Sequence, residues 1–368
     1  MKKSMIAAAA LLTMAAAAQA EDLVVKIGLT GPLSGPNAFA GKDNQNGVQM
    51  AIDDANAKKI QIGGKTLKLE LKSEDDQCDP KTGVSVAQRF VDSGVKFVLG
   101  PYCSGVAIPA SKVYDEGKAL MSTVGTNPQV TTGGYAGVFR IVAADDLIGP
   151  GMARFAHDKM KVKTAAVMDD RTAFGQGLAD QFAKEAKALG INVVAREYTT
   201  DKATDFNAVL TKLKGKAPDV IFYGGYATQA GPMARQMKGL GLTAKLLGGD
   251  TLCVPEVGKL AGDAANDTVF CAQGGAVMDK SSAFAAAYKK KFNQDPDAYA
   301  ASFYDQALFI VQQMQKTQSV DPAKVGASMK TDSYKGVVTT YGYDDKGNLK
   351  NAPVTVYTFK NGTLAPVQ

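Results

Sequence analysis

The sequence has 368 residues, 45% of them hydrophobic and 21% charged, with a formal net charge of +6 and a single histidine. A chain of this length exceeds what one ordinary core organises, so two lobes are expected. The positive surplus is dispersed, with no basic block and no interleaving of arginine with aromatics, which argues against nucleic acid as a partner, and one histidine excludes a histidine-built zinc site by count.

The chain opens with Lys2 and Lys3, an almost wholly apolar run from Met5 to Ala18, and the small-x-small sequence Ala18-Gln19-Ala20. This is the pattern of a signal peptide over residues 1–20, with Glu21 as the new N-terminus and export to the periplasm as the expected fate. The run is short for a membrane span, and no later stretch approaches about 18 uninterrupted apolar residues. Four cysteines, Cys78, Cys103, Cys253 and Cys271, suit an oxidising compartment and pairing in even numbers. Proximity favours Cys78–Cys103 and Cys253–Cys271, each worth about 3 kcal/mol on a chain-entropy argument.

Strand-like and helix-like segments then alternate. Leu23 to Leu29 is apolar and β-branched and ends in "TGPLSGPNAFAG"; Lys42 to Ala57 has apolar residues at helical spacing; "GGKTLKLELKSED" alternates as a strand; Gly83 to Asp92 is helical. "VKFVLG", "ALMSTVG" and "GVFRIVA" follow as strands. The middle third repeats the pattern with "TAAVMDD", a helix over 177–189, "INVVAREY", a helix over 205–214, "DVIFYGG", a helix over 228–240 and "KLLGGD". Strands alternating with helices across short connections indicate βαβ units and parallel sheets. Polar residues and Gly149-Pro150 place a change of lobe near "VAADDLIGP" (142–150). The last section is helical, then β-rich, with hairpin turns expected at "DDKGN" and "KNG".

Catalytic constellations are scarce. Cys103 and Ser104 stand at a strand-to-helix turn, as nucleophiles of hydrolases do, but His157 has no nucleophile near it in sequence and reads as a surface or core residue. "GGKT" (63–66) ends like a phosphate loop, yet Lys59 replaces the required first glycine and a strand follows, so it reads as a turn. "FGQGLA" (174–179) lacks the third glycine of a dinucleotide fingerprint.

What remains is a set of strand ends, where open α/β sheets bind ligands. "VLGPYCSG" presents Ser104 at a helix start, "MSTVGTNP" presents Thr126, "FYGGYATQ" presents Tyr226 and "LLGGD" presents Asp250. Hydroxyls and free N–H groups at a helix N-terminus suit a carboxylate, and an acidic residue suits an ammonium. Together they describe a zwitterion site. The same hydroxyls would serve equally as helix caps, and Asp250 as a turn residue.

Over essentially its whole length after the leader, the chain resembles the periplasmic leucine/isoleucine/valine-binding proteins, solute receptors of branched-chain amino-acid ABC importers. The motifs that carry the resemblance are "GPLSGP", the block "DDQCDPKTGVSVAQRFVDSGVKFVLGPYCSGVAIPAS" (75–111), "YDEG", "FGQGLA", "DVIFYGGY" and "DDKGNLK". It implies a two-lobed type I periplasmic binding protein fold, each lobe a parallel-sheet α/β sandwich, joined by three crossovers. Lobe 1 would comprise 24–144 plus 275–344, and lobe 2 145–274 plus 345–368.

The resemblance further implies that Ser104 and Thr126 bind the ligand carboxylate, that the Val124 carbonyl and the Thr126 hydroxyl face its ammonium with Gly125 between them also in the site, and that Asp250 pairs with that ammonium where glutamate is familiar. Tyr226 would pack over the ligand. Phe174 replaces a familiar tyrosine and loses its hydroxyl. Tyr102 stands where an aliphatic residue is common, Ala40, preceded by Phe39, replaces an aromatic before Gly41, and Tyr299 forms another wall. The pocket is therefore expected to be reshaped. Leucine, isoleucine or valine is the leading ligand, with an aromatic or small amino acid as the alternative. The implied partners are one L-amino acid and an inner-membrane permease, with the protein a monomer needing no cofactor or metal. Rival readings are a sensor of amides or small carboxylates on the same fold, and an exported hydrolase using Cys103 or Ser104.

Overall fold

The computed structural model describes residues 22–274 and 282–367; the signal peptide expected over 1–20 and the start expected at 275 for the second segment of lobe 1 lie outside them. The first half runs β1 (Asp22–Gly31), α1 (Ala38–Ala57), β2 (Gln61–Ile62), β3 (Lys65–Asp75), α2 (Pro80–Asp92), β4 (Phe97–Leu99), α3 (Ser104–Glu116), β5 (Leu120–Thr123), α4 (Gln129–Thr132) and β6 (Val138–Arg140). Its sheet has the order β2-β3-β1-β4-β5-β6 and is parallel except for β2. β4 is Phe97-Val98-Leu99, with no exposed surface, as expected of a strand covered on both faces. "GGKT" is the turn of the β2–β3 hairpin, with Gly63 and Gly64 both at positive φ.

The second half runs α5 (Asp145–Asp158), β7 (Thr164–Asp169), α6 (Ala173–Ala188), β8 (Asn192–Tyr198), α7 (Asn207–Lys214), β9 (Val220–Gly224), α8 (Ala227–Gly239), β10 (Lys245–Gly248), α9 (Pro255–Ala261) and β11 (Val269–Gly274). The chain then forms α10 (Ala283–Phe292), α11 (Ala300–Thr317), α12 (Pro322–Thr331) and the short pair β12 (Tyr334–Lys335) and β13 (Thr340–Tyr341), and ends in the hairpin β14 (Val354–Lys360) and β15 (Thr363–Pro366). The second sheet has the order β15-β14-β11-β10-β9-β7-β8.

Both sheets are parallel through their centres, as the alternation implies, but each has antiparallel strands at one edge: β2 in the first, β14 and β15 in the second. The edge pairing of β14 with β11 joins segments far apart in sequence, which no local pattern encodes. Some helices also start earlier than the apolar periodicity suggests, α2 and α6 among them, whereas α7 starts later, at Asn207. α2 begins at Pro80 because Asp79 accepts the N–H of Thr82 at 2.8 Å. α6 begins at Ala173 because Thr172 accepts that of Gly175 at 2.9 Å.

α10 to α12 pack on the first half. Asp43 of α1 accepts hydrogen bonds from Tyr288 Oη (2.8 Å), Asp297 N (2.9 Å) and Ala300 N (3.1 Å). A Cβ on Gly47 would stand 2.1 Å from the Ala300 carbonyl oxygen, so α1 and α11 meet at this contact only with glycine there. Val325 and Met329 of α12 join the core formed with Leu120 and Phe139. The chain therefore passes between the two halves after β6, after β11 and after β13.

Both expected disulfides form, with Cα–Cα separations of 5.5 Å for Cys78–Cys103 and 5.4 Å for Cys253–Cys271. The first ties the β3–α2 turn to the start of α3. The second ties the segment after β10 to β11. With its sulfur bonded and its residue buried, Cys103 cannot attack a substrate. Thiol titration of the unreduced, denatured protein should find no free thiol; one or more would contradict the pairing.

Candidate functional site

The strand ends of the two halves face one another. From the first half, the turn after β4 brings Tyr102 and Ser104, and the end of β5 runs into Val124, Gly125 and Thr126. From the second, Phe174 lies in the first turn of α6, Tyr226 precedes α8, and Asp250 and Thr251 follow β10. Tyr299 immediately precedes α11. Tyr102, Ser104, Val124, Thr126, Phe174, Tyr226, Asp250, Thr251 and Tyr299 line one small cavity. The space open to the centre of a water molecule is about 10 Å³, room for about one water.

The turn after β4 is strongly constrained. Gly100 has φ +109°, and a Cβ there would meet the Thr30 carbonyl oxygen at 2.0 Å, so the strand can turn here only with glycine. Cys103 caps α3 without a side-chain bond. Ser104 is the first helical residue, and its hydroxyl accepts from Asn127 N at 3.2 Å. Thr126 Oγ1 is buried without a hydrogen-bond partner. Neither hydroxyl is a helix cap. Ser104, at the N-terminus of α3 where the first backbone N–H groups lack helical acceptors, lines the same cavity.

Across the gap, Asp250 is buried. Its Oδ2 accepts from the Tyr299 hydroxyl, and its Oδ1 has no partner. Burial raises its pKa from the usual 3.8 to about 6, while the Tyr299 hydrogen bond pulls the other way. Thr251 Oγ1 donates to the Gly225 carbonyl at 2.6 Å, joining the ends of β9 and β10. An aromatic wall completes the cavity: Phe174 and Tyr226 have ring centroids 5.2 Å apart, Tyr226 and Tyr102 6.3 Å, and Tyr102 and Tyr299 6.2 Å, all tilted or edge-on as aromatic pairs prefer. Donors therefore lie on one side and an acid on the other, the chemistry that holds a zwitterion.

The halves touch closely beside this cavity. Asn127 Nδ2 donates to the Ala173 carbonyl at 2.7 Å, and a Cβ on Gly177 would stand 2.4 Å from that nitrogen. Two sequence candidates stand off the cavity wall. Gly125 turns away: its carbonyl accepts from Arg140 at 2.7 Å and its N–H donates to Thr123 Oγ1 at 2.9 Å. Phe39 is half-buried in α1 and packs against the cores of both halves.

Thr251 and Asp145 escaped the sequence reading. Asp145, the first residue of α5, is fully buried with neither carboxylate oxygen hydrogen-bonded. Burial, then the charge of Asp250, push its pKa well above the usual range, against the pull of Thr126 and Arg140. The available signal was an acid at a helix start directly after the apolar run that ends at Ala144. His157 is on the exposed side of α5, its Nδ1 2.7 Å from Asp158 Oδ1, and it does not line the cavity. Among the described residues, no helix is long and apolar enough to cross a membrane.

The model of the family described as periplasmic binding protein matches residues 24–363. A leucine-, isoleucine-, valine-, threonine- and alanine-binding protein of Pseudomonas aeruginosa is 34% identical over 369 residues, covering 99% of this chain and 97% of that protein. Among solved structures, a leucine binding protein from Thermotoga maritima superposes with a TM-score of 0.84 at 26% identity, covering 94% of this chain and 98% of its own. A branched-chain amino acid transporter substrate binding protein from Streptococcus pneumoniae, in complex with isoleucine, has a TM-score of 0.81 at 26% identity and covers 94% and 100%.

The buried acids set a pH dependence. Asp43, Asp76, Asp170, Asp250 and Asp305 are each raised to about 6 by burial, against 3.8 in an unfolded chain. The folded protein then binds more protons than the unfolded chain between these values, so this contribution to stability is lost as pH rises through 6. The ligand-free unfolding midpoint should be higher at pH 5 than at pH 7.5, and Asp250→Asn should reduce the difference. A midpoint that instead rose from pH 5 to 7.5 would contradict the burial of these carboxyls.

Proposed function

The chain belongs to the periplasmic binding protein family, and from that premise we propose that it captures an apolar, branched-chain L-amino acid between two closing lobes in the periplasm. It then delivers the ligand to an inner-membrane ABC permease. The observation that carries this reading is the division of polar groups across the cleft. Ser104, Thr126 and the start of α3 offer donors from one half, and Asp250 offers a buried carboxylate from the other. The ligand carboxylate takes the Ser104 and Thr126 hydroxyls and the N–H groups of α3, and its ammonium takes Asp250 and the Thr126 hydroxyl. Tyr102, Tyr226, Phe174 and Tyr299 surround the side chain.

Closure follows from the same division. Each lobe alone satisfies part of the ligand, so the shut form gains contacts that the open form lacks, and ligand shifts the balance toward it. We assign 24–144 with 275–344 to lobe 1 and 145–274 with 345–368 to lobe 2. The leader over 1–20 directs export, and the receptor works as a monomer by binding and release, without chemistry on its ligand.

The names of the relatives favour leucine, isoleucine and valine. A smaller side chain is the second reading, favoured by the narrowness of the cavity between Tyr102, Tyr226 and Tyr299 and by the threonine and alanine in the name of the Pseudomonas aeruginosa relative.

Calorimetric titration of ligand-stripped, refolded protein against the twenty L-amino acids should give micromolar or tighter binding to an apolar one. Binding only to an amide or an aromatic acid would overturn the site chemistry. Ser104→Ala and Thr126→Ala should each weaken binding by about 1–3 kcal/mol, as expected for hydrogen bonds to a charged group; unchanged affinity in both would remove these hydroxyls from the site.

A further inference from the structure

Arg140, the last residue of β6, is fully buried, and no carboxylate lies within ion-pair distance of its guanidinium among the described residues. Burial lowers its pKa to about 10, with Asp145, Asp146 and Asp344 pulling the other way, so it is charged at neutral pH. A buried cation without a paired anion is costly unless hydrogen bonds replace its hydration. Here they do, and they converge on one loop. Nη1 donates to the carbonyls of Gly125 (2.7 Å) and Asn127 (2.9 Å), and Nη2 to Thr131 Oγ1 (2.9 Å) and the Pro128 carbonyl (3.5 Å). Nε donates to Asn348 Oδ1 at 3.2 Å.

The remaining carbonyl of the turn, that of Thr126, accepts from Asp145 N at 2.9 Å, where the first crossing enters α5. Gly125, Thr126 and Asn127 thus direct their carbonyls into the protein, while Thr126 Oγ1 is left unpartnered at the cavity. Asn348 belongs to the third crossing. Its Oδ1 also accepts from Thr131 Oγ1 at 2.9 Å, its N–H donates to Asp344 Oδ1 at 2.8 Å, and the neighbouring Gly347 carbonyl accepts from Arg140 N at 2.8 Å. The guanidinium therefore stands where the ligand-facing loop and two of the chain crossings meet.

We propose that Arg140 is the positioning residue of the site, holding loop 125–128 in the conformation that offers Thr126 to a ligand carboxylate and, through Asn348, coupling that conformation to the third crossing between the lobes. This rests on the reading of the cleft as an amino-acid site. The planar fork of the guanidinium holds several carbonyls in fixed directions at once, which the single point of a lysine ammonium cannot do. The positive charge behind the loop also favours an anion in front of it.

Two variants test this, Asn348→Ala, at a partly exposed loop residue, and Arg140→Lys, which keeps the charge but not the fork. In ligand-free Asn348→Ala, the amides of residues 126–131 should exchange hydrogen about tenfold faster than in the wild type, with exchange in the second half of α3 and the unfolding midpoint unchanged. Arg140→Lys should show the same local effect, and both should bind L-leucine about tenfold more weakly. Unchanged loop exchange in both variants, or faster exchange with unchanged leucine affinity, would overturn the proposal. If the wild type bound no amino acid, the proposed function would fail, and the exchange measurements would still decide whether Arg140 and Asn348 hold the loop.

Discussion

A carboxylate removed from water needs donors or a cation, and Asp250 is half provided for. Tyr299 reaches one of its oxygens from across the cleft and nothing reaches the other. Facing it, Thr126 has a hydroxyl with no partner, and Ser104, the first residue of α3, lines the same cavity. Each side is polar in a way that its own lobe does not satisfy. A zwitterion placed between them satisfies both, and the two lobes then have a reason to stay together that neither has alone.

The scaffold exists to hold those groups at the right separation. Parallel sheets place their strand ends on one edge, and turning two such edges toward each other makes a cleft from loops whose roots are rigid. Gly100 lets β4 turn under Thr30. The Cys78–Cys103 bond anchors the residue before Ser104, and Cys253–Cys271 anchors the segment after Asp250 to β11. The aromatic rings of Tyr102, Tyr226, Phe174 and Tyr299 wall what remains of the cavity.

Much of this is legible in the amino acids, and the reasons are physical. β4 and β9 read as buried strands because both faces are covered, so every residue is apolar. Ser104, Thr126, Tyr226 and Asp250 follow such runs directly, and in this architecture strand ends meet ligands. The cysteine pairs are close in sequence. By contrast, the pairing of β14 with β11 depends on segments far apart in the chain. Asp145 reads only as part of a polar interruption, since its burial follows from long-range packing that no local pattern encodes. Arg140 lay inside "GVFRIVA", where an arginine in an apolar run gives no hint that it will bind the carbonyls of another loop. Gly125 and Phe39 enter the expected pocket only through the resemblance, whereas the Gly125 backbone bonds Arg140 and Thr123 and Phe39 packs against the cores.

The most direct test of the central claim is the orientation of a bound ligand. A crystal structure of the protein with the amino acid that it binds most tightly should show the ammonium nitrogen about 3 Å from Asp250, with the carboxylate on Ser104 and Thr126 at the start of α3. A ligand lying the other way round, or bound outside the cavity between Tyr102 and Tyr226, would contradict the account.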